Sequence, residues 1–210
     1  MNFKNFIIIL LSIGLFHMFF GQSSVYGSET KTFTVLIDPG HGGKDPGVIW
    51  PDGSMEKKIA ILYAQAFAKE LQNQNISYIF THVSVDSFVP IFLRLRKAKN
   101  SHANVLISFH ANPVSSDSNV IQLFLNPDDS SSQFLTQVLK AELEKQNYTI
   151  ITTPCNFAII KMSPIPAVMI NLRAGKSVKG IRYWLNPQLI GEIARGMARA
   201  LKRFWLEEKR

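Results

Sequence analysis

Cysteine is almost absent from the 210-residue chain, which contains only Cys155. One thiol cannot form an internal disulfide, and it cannot supply a structural zinc site that needs two or more cysteines. Disordered and collagen-like classes are also excluded, because 46% of the residues are apolar and 11% are aromatic. We therefore expect a sizeable core that is held by packing, or by a metal with other ligands.

A long apolar run is found only at the N-terminus, and it is short for a membrane span. After Lys4, residues 6–20 carry no charge, whereas a transmembrane helix needs about 20 apolar residues. Small residues follow, up to Gly27, and this three-part pattern is typical of an export signal. The sequence predicts a signal peptide over residues 1–27 and one mature domain over residues 28–210. An uncleaved signal that anchors the protein in the membrane is the alternative. If the signal is cleaved, we expect the mature protein to have no stable membrane span and to be exported to the periplasm or cell envelope.

Positive charge is concentrated at the C-terminal end. Residues 161–210 contain eleven Lys and Arg against three Glu, while the whole chain has a formal charge of +8. Such a segment could bind an anionic wall polymer, or it could be the solvated face of a helix. No nucleic-acid-binding motif accompanies it, so nucleic acid is not an expected partner. The cations concerned are Arg195, Arg199, Lys202 and Arg203.

Short β-branched and aromatic runs alternate with helical patterns from residue 34 onwards. This order predicts a single α/β domain with a mixed, mostly parallel sheet and helices on both faces. Helical spacing covers residues 59–71, 134–143 and 189–201, and a further helix is expected around residues 90–98. The predicted strands are Thr34–Asp38, Ser77–Thr81, Val105–Phe109, Val120–Leu125, Ala158–Lys161 and Ala167–Leu172.

Two of these strands end in histidines, where the functional groups of parallel sheets gather. His41 lies in a glycine-rich loop after the first strand, and His110 follows the third strand. Glu56 opens the helix between them, where the helix dipole alone could explain a carboxylate. Two histidines and a glutamate match a zinc site with one open position, but strand-end histidines held by backbone hydrogen bonds remain an alternative.

Three sequence blocks together resemble the zinc-dependent N-acetylmuramoyl-L-alanine amidases. The blocks are Asp38–Gly47, Glu56–Lys57 and Ile107–Asn112. The resemblance implies cleavage of the amide between the lactyl group of muramic acid and the first L-alanine of the peptidoglycan stem peptide. It also implies one Zn²⁺ ion, with His41, Glu56 and His110 as its ligands.

The sequence departs from this family pattern on the last predicted strand. Asn171 stands where the family has a catalytic glutamate, Arg173 stands where glycine is usual, and Ala174 replaces a bulky aromatic. Asparagine can orient a water but cannot accept its proton at neutral pH. Two functions are therefore expected: a weakened zinc amidase, and a zinc-containing pseudo-amidase that binds peptidoglycan without cutting it.

Overall fold

The computed structural model describes residues 32–114, 120–175 and 177–208, so the predicted signal peptide lies outside the described residues. Among these ranges, none of the helices combines the length and the apolar character needed to cross a bilayer. The strands are β1 (Thr34–Pro39), β2 (Ser77–Phe80), β3 (Val105–Val114), β4 (Val120–Leu125), β5 (Ile150–Pro154) and β6 (Ala167–Gly175). The helices are α1 (Glu56–Asn73), α2 (Ile91–Asn100), α3 (Ser130–Glu144), α4 (Ala158–Lys161), α5 (Val178–Trp184) and α6 (Pro187–Glu208).

The strands form one six-stranded sheet in the order β2-β1-β3-β6-β4-β5. β1 runs parallel to β2 and β3, β3 runs parallel to β6, and β4 runs parallel to β5. β4 and β6 pair in the antiparallel sense. The mixed, mostly parallel sheet predicted from the sequence is confirmed.

Helices cover both faces of this sheet, as predicted, but unequally. Successive side chains of a strand point to opposite faces. On β1, Val35 and Ile37 therefore join the larger core with α1, α3, α5 and α6, while Leu36 packs on the other side. The smaller core is built from Leu36, Leu106 and residues of α2 and α4. The larger core is also fixed by a buried hydrogen bond of 2.8 Å from the Tyr63 hydroxyl to the Trp184 carbonyl.

Two predictions of secondary structure need correction. Ala158–Lys161, predicted as a strand, is the short helix α4. A run of three apolar residues before a lysine does not distinguish a strand from a helix, and here its two isoleucines are buried together against the smaller core. The strand β5 was not predicted, because it lies at the sheet edge and only its first residue, Ile150, is buried.

Candidate metal centre and groove

Three separate elements bring His41, Glu56 and His110 together. His41 lies in the loop after β1, Glu56 is the first residue of α1, and His110 lies on β3. His41 adopts a left-handed backbone conformation with φ of 61°, which is uncommon for a non-glycine residue. Gly40, just before it, passes so close to the His110 ring that an added Cβ would lie 2.5 Å from its Cε1 atom. Only glycine therefore allows the loop to bring the two histidines this close.

The side chains meet at the carboxylate of Glu56. The Nε2 atom of His41 lies 3.0 Å from Oε2 of Glu56, and Nδ1 of His110 lies 2.8 Å from Oε1. One ligand atom from each residue lies within 4.8 Å of the others, so the group could hold a metal ion. Nitrogen and carboxylate oxygen donors of this kind are the ligands that zinc takes in proteins.

Glu56 is held ionised although it is almost completely buried. Burial acts to raise the pKa of this carboxyl, but hydrogen bonds with His110 and His41 outweigh it and hold the pKa well below its usual range. The carboxylate also accepts backbone N–H groups from Val48 at 3.0 Å and Ala111 at 3.1 Å. Such a preformed carboxylate needs no proton loss before it binds a cation.

His41 has a second acidic partner behind the cluster. Its Nδ1 atom lies 2.9 Å from Oδ2 of Asp45, so Nε2 remains the nitrogen that faces Glu56. Burial acts to lower the pKa of His41, but the hydrogen bond and charge of Glu56, together with Asp45, raise it overall. Metal-binding histidines commonly have such an outer carboxylate, which fixes the ring and its tautomer.

A buried arginine fixes the backbone that carries His41. Arg94, on α2, donates from Nη1 to the Asp38 carboxylate at 2.9 Å and from Nη2 to the His41 carbonyl at 2.6 Å. Asp38 also accepts from the hydroxyls of Thr81 and Ser108. With several charge-assisted hydrogen bonds, this network can hold two charges in the interior.

Three amide side chains lie beside the cluster, on β3, β6 and β4. Asn112 donates to the Oδ1 atom of Asn171 at 2.9 Å, and the Nδ2 atom of Asn171 lies 3.4 Å from Oε1 of Gln122. The β-sheet register places His110, Asn171 and Gln122 side by side on β3, β6 and β4. We call Asn112, Asn171 and Gln122 the amide row; it carries no charge.

The cluster and the amide row line one groove with a volume of about 810 Å³. Glu56 is the only carboxylate and Arg173 the only lysine or arginine among the described residues that line it. Much of the remaining wall is apolar and includes Phe124, Phe157 and Ile159. A few polar groups in a mostly apolar concave surface are typical of a ligand-binding site.

The sequence profile of the N-acetylmuramoyl-L-alanine amidases matches residues 35–203. The chain belongs to this family. A relative in Neisseria meningitidis serogroup B, N-acetylmuramoyl-L-alanine amidase AmiC, is 34% identical over 92 residues, which are 44% of this chain and 22% of that protein. The probable cell wall amidase LytH of Staphylococcus epidermidis is 27% identical over 158 residues, covering 72% of this chain and 51% of that protein. The chain thus covers less than two thirds of the length of either relative.

A solved structure extends the similarity to the fold. The catalytic domain of CwlV, an N-acetylmuramoyl-L-alanine amidase from Bacillus (Paenibacillus) polymyxa var. colistinus, superposes with a TM-score of 0.74 at 25% identity. The match covers 84% of this chain and 99% of that domain. The six-stranded sheet of this chain is thus the sheet of an amidase domain.

Of the residues singled out in the amidase sequence pattern, the three candidate ligands, Asn171 and Arg173 line the groove, whereas Ala174 is buried in the larger core. His41, Glu56 and His110 form the cluster, and Asn171 lies next to His110 on the adjacent strand. Sequence reasoning gave no role to Asp45 or Arg94. The burial of Asp38 on a strand is the signal that could have pointed to Arg94, because a buried carboxylate needs a partner.

Proposed function

We propose that this member of the amidase family is a zinc-dependent N-acetylmuramoyl-L-alanine amidase that acts on peptidoglycan. His41, Glu56 and His110 would be the ligands of one zinc ion. The observation that carries the proposal is the cluster of these three side chains on the wall of the groove, in a chain whose profile match covers residues 35–203. The bond cut would be the amide between the lactyl group and L-alanine.

The site of action follows from the predicted export signal over residues 1–27. Export would place the domain in the periplasm or cell envelope, where peptidoglycan is found. The similarity to a probable cell wall amidase of Staphylococcus epidermidis supports this assignment.

Each residue of the cluster has a defined task in this function. Glu56 supplies a negative charge already held ionised, and Asp45 keeps Nε2 of His41 directed towards it. A bound zinc ion would polarise the scissile carbonyl and lower the pKa of a bound water to near 7. The apolar walls of the groove reduce competing hydration around the reacting amide.

Proton transfer is the weak step of the proposed reaction. Asn171 stands at the position of the family's catalytic glutamate, and its Oδ1 atom already accepts from Asn112. A positioned general acid and base contributes about 10²- to 10⁴-fold to the rate. Without one, Asn171 can hold a water by hydrogen bonds but cannot take its proton, so hydrolysis should be slow.

One observation favours a second function, a pseudo-amidase that binds peptidoglycan without cutting it. Glu56 is the only carboxylate among the described groove residues, and both histidines contact it. The groove could thus hold a metal ion and a peptidoglycan fragment, but its described residues include no second carboxylate that could act as a base.

The two functions are separated by measuring turnover and binding on the same zinc-loaded protein. For the amidase, we expect slow release of stem peptide from purified muropeptides, with loss of both release and zinc in His110→Ala. A matched control is His102→Asn, at an exposed histidine outside the groove. The backbone of His102 is left-handed, and asparagine tolerates this conformation. Muropeptide binding without release would favour the pseudo-amidase, and full zinc occupancy in His110→Ala would contradict the proposed metal site.

Anionic wall polymers are a further proposed partner, through the exposed cations of α6. Three of the four arginine and lysine residues have acidic neighbours that reduce their effective charge. Arg195 lies 3.7 Å from Glu70, Arg199 lies 3.7 Å from Glu142, and Arg203 lies 2.7 Å from Glu207. The expected attraction is therefore weak and sensitive to salt.

A further inference from the structure

Arg173 adds a positive charge to the wall of the groove. It lies on β6 two residues after Asn171, and both side chains line the groove because alternate residues of a strand share one face. The register pairs Arg173 with Asn112 on β3 and with Val120 on β4. Arg173 therefore stands one row, about 7 Å along the strand, beyond the row of His110 and Asn171.

The backbone at Arg173 is fixed. Its carbonyl accepts a hydrogen bond of 3.1 Å from the indole Nε1 of Trp184, which is fully buried in the larger core. Its strand also pairs on both sides. The base of the arginine side chain is thus held on a rigid part of the sheet, which favours a defined contact with a ligand over a mobile surface charge.

The guanidinium has no carboxylate partner within salt-bridge distance among the described residues. The one acidic side chain lining the groove, Glu56, is occupied by His41 and His110. Arg173 is half-buried, and the nearby groove wall includes apolar Val114. A cation in such surroundings attracts an anionic group more strongly than a fully exposed one.

We propose that Arg173 is a specificity-determining residue that binds a free carboxylate of the stem peptide. The inference rests on the proposed function, since it assumes that a stem peptide enters the groove with its first amide at the His41–Glu56–His110 cluster. It also takes the stem to run along β6 from the cluster towards Arg173; a peptide advances by about 3.3–3.6 Å per residue, so two residues span the distance between the two rows. The planar guanidinium can bind a carboxylate through two parallel hydrogen bonds, which an amidated α-carboxyl cannot accept.

The guanidinium of Arg173 distinguishes a charged carboxylate from a neutral amide, because the amide cannot accept both of its parallel hydrogen bonds. Two substrates that differ only in whether this carboxyl is free or amidated should therefore differ in their affinity for this protein.

The test uses a pair of muropeptides that are identical except for a free or amidated α-carboxyl on the second stem residue. Calorimetric binding to zinc-loaded wild-type protein should favour the free acid by about 10-fold, the effect of one charge-assisted contact in a partly exposed site. In Arg173→Gln the two ligands should bind equally, and Arg173→Lys should retain part of the preference. Arg96→Gln, at an exposed arginine on α2 outside the groove, should behave as wild type.

Two outcomes would overturn the inference alone, and a third would overturn it together with the proposed function. Equal affinity of the wild-type protein for the two muropeptides would remove the role of Arg173 and leave the proposed amidase function intact. A preference for the free acid that persists in Arg173→Gln would assign the recognition to another group. Failure of both muropeptides to bind at all would instead contradict the proposed function and, with it, this inference.

Discussion

The two sides of the groove, the His41–Glu56–His110 cluster and the amide row, differ in charge although they line the same cavity. On one side, Glu56 is ionised and contacts two histidines, and Asp45 supports one of them. On the other side, the amide row of Asn112, Asn171 and Gln122 satisfies its hydrogen bonds among neutral groups. Among the described groove residues, the cluster contains a carboxylate and the amide row contains none, so a site that could hold a metal ion lies beside side chains that cannot accept a proton at neutral pH. Changes on each side of the groove should therefore affect different properties of the protein.

The largest effect is expected from removing the charge of Glu56. Glu56→Gln keeps the shape of the side chain but leaves two histidines without their carboxylate. Loss of an outer partner alone costs about 10- to 100-fold in metal affinity, so we expect a loss of more than about 100-fold here. Zinc titration with a competing chelator measures it. Glu142→Gln, at another buried glutamate, is the control and should bind zinc normally; equal zinc affinity in the two variants would contradict the proposed ligand.

The second prediction places a base on the neutral side. Asn171→Glu should raise the rate of stem-peptide release by about 10²-fold, because a general base is restored beside His110. Arg173 would limit the gain by stabilising the charged form of the new carboxylate. Single-turnover release measured by mass spectrometry follows the change.

Asn171→Gln controls for the added length without adding charge, and it should stay slow. Robust zinc-dependent hydrolysis by the unmodified protein that also survives Asn171→Ala would show that another group acts as the base.

A smaller effect is expected from the support of His41. Asp45→Asn removes the charge that orients Nδ1 of His41, and zinc affinity should fall by about 10-fold. The same chelator competition measures this loss. Asp52→Asn, at an exposed aspartate in the following loop, provides the comparison. If the two variants bind zinc equally well, Asp45 has no part in holding the ion.

The smallest effect is expected far from the groove, at the cations of α6. Changing Arg195, Arg199, Lys202 and Arg203 to Gln should reduce pull-down by peptidoglycan carrying anionic polymers at low salt. The difference should disappear as salt shortens the range of electrostatic attraction below about 8 Å.

The matched control changes four exposed lysines elsewhere, Lys58, Lys69, Lys97 and Lys99, to Gln. It removes the same charge but leaves α6 intact. An equal reduction in both variants would show that net charge, and not this helix face, determines binding to the wall polymer.

The parts of the fold that sequence reasoning predicted are those with strong local signals. β1, β3 and β6 are apolar strands that end in conspicuous residues, and the helical spacing of α1, α3 and α6 is regular. The segment of α4 was wrongly predicted as a strand, because its structure depends on packing against the core. β5 was missed, because this short segment becomes a strand through pairing at the sheet edge. In the site, residue type identified the three candidate ligands, whereas Gln122 and Arg94 gain their roles only from contacts between distant segments. Asp45 gains its role from the loop conformation that returns its carboxylate to His41.

The contacts of Arg94 link the stability of α2 to the candidate metal centre. Although α2 supplies no member of the cluster, its arginine donates to the carbonyls of Pro39 at 2.5 Å and His41 at 2.6 Å. Local opening of α2 therefore releases the loop that positions His41, and an ion bound to the closed loop shifts that equilibrium by mass action. Added zinc should consequently slow hydrogen exchange at the amides of α2, so that a helix without a ligand reports the occupancy of the site.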